Sequence, residues 1–260
     1  LMIDTHTHLY LDDYNPDKCA AVDRALAAGI SMMILPGVDV SSVAQIRELH
    51  TLRPHATAPC AGLHPTEVDS GWRDKFEAIE TELRESDDIT YVAVGEAGLD
   101  LYWDKTFLPQ QLDALSAQID LADSLSLPVI IHCREALPQM LDLMRAHAGR
   151  LPQPLFHSFG GTEDDLAAIR RIMPQAMFGI NGMVTFKNSR LREVLPSIGI
   201  DYLVLETDAP WLAPVPMRGR QNESAYMVHT ARHIAEHLKM STDDIDARTT
   251  ANARRLFHLS

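Results

Sequence analysis

Short runs of apolar and β-branched residues recur along the chain, each followed by a longer stretch in which apolar positions return every three or four residues. The first pattern predicts buried strands and the second predicts helices with one apolar face. Strands are expected at residues 3–8, 32–38, 56–64, 91–96, 129–133, 155–159, 176–180 and 203–208. Leu112, Leu115, Ile119 and Ala122 show the helical spacing plainly, and Ser41 and Thr162 stand where helix caps are expected. Alternation of strand and helix without a linker or low-complexity segment predicts an α/β fold, a single (β/α)8 TIM-type barrel domain over residues 1–260. An open nucleotide-binding sheet would carry a glycine-rich phosphate loop after an early strand, and the sequence has none. After the eighth strand comes a long loop, 210–221. Asn222 is then placed to cap a helix with Val228, Ala231, Ile234 and Leu238 on its inner face, and a last segment carries Ala253, Leu256 and Phe257. These C-terminal helices are expected to close the barrel.

In such a barrel chemistry sits at the carboxyl ends of the strands, and the polar interruptions of the apolar runs fall there. They are His6 and His8 in IDTHTHL, His64 in AGLHP, Glu96 in AVGEAGLD, His132 in PVIIHCR, His157 in LFHSFGG and Asp208 in LVLETDAP. Strand residues two apart share a face, about 6.7 Å apart along the backbone, so His6 and His8 can converge on one ion while Thr7 faces away. Any one of these groups alone could be a hydrogen-bonded core residue; imidazole and carboxylate recurring on separate strand ends is what points to metal. Glu96, between Gly95 and Gly98, has room to bridge two ions. His6, His8, Glu96 and Asp208 would hold one, and Glu96, His132 and His157 the other. This donor set suits zinc or manganese, with magnesium also allowed. A bridging water activated between two divalent ions would attack an ester, with Asp208 placed to take its proton, so Glu96 and Asp208 are the expected catalytic pair. Asp4 and Glu206 lie a layer deeper and read as hydrogen-bonding support.

A formal net charge of −13 argues against sequence-independent adhesion to nucleic acid. It does not argue against a nucleic-acid substrate, because two divalent cations would reverse the local field. Cys19, Cys60 and Cys133 are far apart and odd in number, the pattern of reduced thiols. With no apolar run of about eighteen residues and no basic-then-apolar leader, a cytoplasmic location without membrane or obligate protein partner is expected.

Taken together with VGEAGLDLYWD, PVIIHCREA, HSFGGT, LETDAPWLAP, RGRQNE and TTANARRLF, these motifs resemble the TatD family of metal-dependent hydrolases, the TatD-type deoxyribonucleases, from end to end. The resemblance implies a TIM-type barrel with two divalent ions on His6, His8, Glu96, His132, His157 and Asp208. It implies hydrolysis of phosphodiester bonds, exonuclease-like, with DNA as substrate rather than stable partner. It also implies that His64, Asp100, Trp103, Arg134, Arg218 and Arg220 line the substrate cleft. Arg134, two residues past His132, is placed to meet a phosphate oxygen, as are the two loop arginines, and Trp103 to stack on a base. The chain departs from the family pattern at Gln139, where many members carry an acid, and at Ser158, where cysteine is frequent; neither is an expected ligand. The alternative is an amidohydrolase-type hydrolase of a small amide, lactone or phosphoester. Many of those bridge their ions with a carboxylated lysine; here Glu96 holds that position and no lysine ends a predicted strand in the right place.

Overall fold

The computed structural model describes residues 1–13 and 17–259. Strands and helices alternate in the order β1 (Met2–Asp4), α1 (Lys18–Ala27), β2 (Ile30–Leu35), α2 (Val40–Leu52), β3 (Thr57–Pro59), α3 (Trp72–Glu85), β4 (Val94–Asp100), α4 (Leu108–Leu125), β5 (Val129–Arg134). They continue with α5 (Leu137–Ala146), β6 (Pro154–Phe156), α6 (Glu163–Ile172), β7 (Met177–Ile180), α7 (Leu191–Ile198), β8 (Leu203–Leu205), α8 (Met227–Leu238) and α9 (Thr242–Leu256). β1 to β3 and β4 to β8 pair in chain order, all parallel. Backbone hydrogen bonds join the two sheets at both seams. Val92 N donates to Pro59 O and Gly95 N to Ala61 O on one side; Thr5 N donates to Leu205 O, Asp208 N to His6 O and His8 N to Ala209 O on the other. The expected TIM-like barrel results.

The alternation of side chains along each strand separates two cores. Met33, Leu35, Ile131, Phe178 and Leu205 pack outward beneath the helices. Ile3, Ile34, Ala58, Ile130, Leu155, Met177 and Val204 point inward, where they meet Ala253 and Leu256 of α9 and the adjoining Phe257. Asn252 fixes this plug by donating to Ile200 O and Leu203 O at 2.7 and 2.8 Å, at the start of β8. Burying each large plug side chain contributes about 1.5–3 kcal/mol. The amino-terminal end of the barrel is thereby closed and the other end left for chemistry.

Most strands are shorter than the apolar runs predict. β1 stops at Asp4, β3 at Pro59 and β8 at Leu205, so His6, His8, His64 and Asp208 stand on the turns beyond them. There the backbone bends off the ladder, and its donors go across a seam, as from His8 N to Ala209 O, or to a side chain, as from His6 N to Asp4 Oδ1 at 3.3 Å. Two expected caps are corrected. Asp39, not Ser41, caps α2, its Oδ1 accepting from Ser42 N at 2.8 Å while the Ser41 hydroxyl donates to the same carboxylate. Asn222 does not cap α8; its Nδ2 donates to Thr207 O and Trp211 O, tying the long loop to the end of β8. Thr162 caps α6 as expected. The three cysteines are free thiols, and no helix among the described residues is long and apolar enough to cross a membrane.

Candidate metal centre

Glu96 reaches the barrel mouth because β4 carries one residue more than its partner. Val94 pairs with Val129 and Ala97 with Ile131, so Gly95 and Glu96 together oppose Ile130. Position 95 admits only glycine: its φ is +151°, and a Cβ there would stand 2.7 Å from Ile130 Cβ. Three residues on, Gly98 lies against His132, whose carbonyl oxygen a Cβ would strike.

The two oxygens of buried Glu96 face different histidines. Oε2 lies 3.1 Å from His6 Nε2 and 3.6 Å from His8 Nε2. Oε1 lies 2.9 Å from His132 Nδ1, 2.8 Å from His157 Nε2 and 3.3 Å from His64 Nε2. Asp208 Oδ1 is 3.8 Å from both His6 Nε2 and His8 Nε2, which are themselves 3.1 Å apart. Donors on one tetrahedral ion at about 2.05 Å stand about 3.3 Å from each other, and these separations bracket that spacing. The hydrogen bonds from Asp208 N to His6 O and His8 N to Ala209 O hold the β1 and β8 turns in register and bring Asp208 beside the two rings.

Two rings are held by a hydrogen bond at the far nitrogen, which decides where the lone pair points, and a third faces a carboxylate there. Tyr10 donates its phenol to Pro36 O at 2.6 Å, so it accepts from His8 Nδ1 at 2.8 Å and leaves His8 Nε2 bare toward Glu96. His132 Nε2 donates to Asp100 Oδ2 at 2.8 Å, freeing Nδ1. His157 Nδ1 points at Glu206 Oε1, 3.6 Å away, and Glu206 is anchored by Ser158 N at 2.6 Å and Asn181 Nδ2 at 3.3 Å. His64 differs: its Nδ1 accepts from Thr66 N at 3.2 Å, so the neutral ring carries its proton on Nε2 and acts as a donor. Imidazole lone pairs converging on a shared carboxylate fit divalent ions. Tyr10 and Asn181 were not singled out by sequence. The same-face spacing of His8 and Tyr10 in HLY was a usable signal, whereas Asn181 comes from beyond β7 with no local mark.

Burial alone would raise the Glu96 carboxyl, but His157, His64 and His6 outweigh it and hold it well below the usual carboxylate range. Burial, helped by His157, lowers His6 to about 4, and burial with His6 lowers His8 well below the usual imidazole range, so both rings are neutral at pH 7. His157 and His132 are raised instead, burial being overcome by Glu96 with Glu206 for the first and by Asp100 with Glu96 for the second. Burial pushes Asp208 up to about 7, with His157 opposing and Glu96 adding.

The residues expected to line the cleft are placed unequally. His64 joins the cluster. Asp100 is buried and gives one oxygen to His132 while the other accepts from Tyr102 N at 3.0 Å. Trp103 is 71% exposed, and the Arg134 guanidinium lies over Tyr102 and Trp103 at 3.7 and 5.5 Å. Arg218 and Arg220 are exposed on the long loop, Arg218 lying over the Phe186 ring at 3.9 Å. Asp4 does not share the face of His6 and His8: its carboxylate accepts from Thr207 N at 3.0 Å and Thr207 Oγ1 at 2.6 Å. Asp100→Asn is expected to weaken metal affinity about 10- to 100-fold without loss of fold, because the amide cannot hold the His132 tautomer as a carboxylate does; metal titration of the variant checks it.

Imidazoles aimed by phenol and carboxylate partners around one shared glutamate, at the open end of a parallel barrel, define a metal-dependent hydrolase. Residues 3–258 match the family described as TatD related DNase, and the chain belongs to that family. It is 34% identical over 265 residues to the 3'-5' ssDNA/RNA exonuclease TatD of Erwinia tasmaniensis, covering 99% of this chain and 100% of that one. It is 32% identical over 267 residues to the metal-dependent hydrolase YabD of Bacillus subtilis, covering 100% of both. Among solved structures, YjjV, a TatD homologue of Escherichia coli, superposes with a TM-score of 0.91 at 26% identity, over 100% of this chain and 98% of that one. A phosphotriesterase homology protein of Escherichia coli, with a TM-score of 0.73 at 13% identity over 98% of each chain, shares the fold.

Proposed function

We propose that the protein is a two-ion phosphodiesterase that removes nucleotides from DNA ends, acting on single strands as its TatD exonuclease relatives are named to do. The observation that carries this reading is the division of Glu96: one oxygen serves His6 and His8, the other His132 and His157. His6, His8, Glu96 and Asp208 would hold one ion, and Glu96, His132 and His157 the second. Divalent ions, whether zinc, manganese or magnesium, supply Lewis acidity and a water of lowered pKa when bound. Asp208, 3.8 Å from His6 and His8, would take the proton of the attacking water. His64 offers its Nε2 proton to a phosphate oxygen, and Trp103 with Arg134 presents a stacking surface to a base. Tyr10, Asp100 and Glu206 keep the ligand rings aimed. The free thiols support a cytoplasmic setting.

End-labelled single-stranded DNA incubated with the metal-loaded protein is expected to shorten stepwise, with EDTA abolishing the reaction. A protein that holds metal yet leaves DNA intact under magnesium, manganese and zinc, while hydrolysing a lactone or a small phosphoester, would instead establish the amidohydrolase-type reading.

A further inference from the structure

Residues 181–192, after β7, and 209–222, within the loop after β8, carry Lys187, Arg190, Arg192, Arg218 and Arg220 and no acid, in a chain of net charge −13; Glu193 follows the first stretch, and Asp208 and Glu223 flank the second. Arg192 is turned to structural use. Its Nη2 donates to Phe186 O, Lys187 O and Ser189 O at 3.4, 3.0 and 3.3 Å, strapping the loop that presents its neighbours. Lys187, Arg190, Arg218 and Arg220 are exposed, and none has an ion-pair partner among the described residues. Several surface cations elsewhere hold acids, as Arg24 holds Glu223, Arg47 holds Glu82, Arg53 holds Asp23 and Lys75 holds Asp69. The two loops form one ridge: Arg218 stacks over Phe186 at 3.9 Å, and Val215 N donates to Thr185 Oγ1 at 2.9 Å. The ridge is anchored to the metal centre, since Trp211 N donates to Asp208 O at 2.9 Å and the Trp211 ring lies 5.4 Å from that of His8. On other parts of the rim the loops after β1 and β3 carry Asp12, Asp13, Glu67 and Asp69.

We propose that this ridge extends the cleft along the phosphate backbone of the single strand whose end is being cleaved, with Lys187 and Arg190 contacting phosphates beyond those that Arg218 and Arg220 are expected to meet. The strand then leaves the metal centre over β7 and β8, because there two joined loops of the rim present four exposed cations that hold no acid among the described residues. This inference rests on the nuclease reading for the position of the cleaved bond, but its test is independent of turnover.

The test is equilibrium binding by fluorescence anisotropy of the metal-loaded protein to a labelled oligothymidylate of about a dozen nucleotides, end-blocked with phosphorothioate linkages, at salt between about 50 and 200 mM. Each single-strand phosphate contact contributes about 0.7 to the slope of log affinity against log salt. The double variant Lys187→Ala/Arg190→Ala is expected to flatten the slope by about 1.4 and to bind about tenfold or more weakly at 0.1 M salt. Lys187→Arg/Arg190→Lys, which keeps both charges, is expected to retain the original slope. An unchanged slope in the alanine variant, or no measurable binding by the unmodified protein, overturns the proposal. Loss of cleavage with intact binding would instead count against the nuclease reading.

Discussion

Glu96→Gln is expected to lower phosphodiester hydrolysis by about 10³-fold or more and, for the proposed two-ion centre, to cost about one ion per chain. Gln has the shape of Glu, so the fold has no reason to change. The amide, however, must turn its nitrogen either toward His6 and His8 or toward His132 and His157. That nitrogen carries no lone pair for an ion, and the negative charge that balances two dications is lost. A substitution of Asp208, which faces only His6 and His8 at 3.8 Å, is expected to leave more metal in place. Elemental analysis beside initial rates checks both. Full metal content and full turnover in Glu96→Gln would refute the shared-carboxylate assignment.

The largest expected effect on stability comes from Gly98→Ala. Gly98 pairs with His132 across the β4–β5 ladder, and the added methyl would meet the His132 carbonyl oxygen, which is backbone and cannot swing aside. Parting two buried central strands is expected to cost about 3 kcal/mol, the upper part of the range for overpacking. In a chain of this size that corresponds to a fall of roughly 6–12 °C in Tm. Gly71→Ala is the useful contrast: at the start of α3 a Cβ would meet only Asp69 Oδ1, at 3.4 Å, and thermal unfolding should barely move. Equal Tm values for the two variants would show that β4 and β5 are not packed as closely as described.

The two variants probe things of different legibility. The ligand types at positions 6, 8, 96, 132, 157 and 208 could be read from the chain because polar residues interrupting apolar runs are costly unless they have partners. Their recurrence at the ends of strands needed only the period-two and period-3.6 patterns. Glu96 was legible as a candidate bridge, but not the bulge that carries it, since an extra residue in one strand is visible only against its partner Ile130. Local rules failed where a non-local hydrogen bond decided the outcome. Asn222 has the chemistry of a cap, yet its amide is engaged by Thr207 O and Trp211 O from the β8 turn. Asp4 was legible as hydrogen-bonding support, but not that Thr207, 203 residues away, takes its carboxylate.

The sequence by itself determined the alternating α/β architecture, the family and the set of candidate metal-binding side chains, because hydrophobic period and donor type are properties of the chain one residue at a time. Only the tertiary structure decided which oxygen of Glu96 serves which histidine, which nitrogen of each ring is bare, and that unpaired positive charge gathers beside β7 and β8. Those features depend on groups far apart in sequence, such as Tyr10 with Pro36, Asp100 with His132 and Arg218 with Phe186, whose meeting is fixed by closure of the barrel.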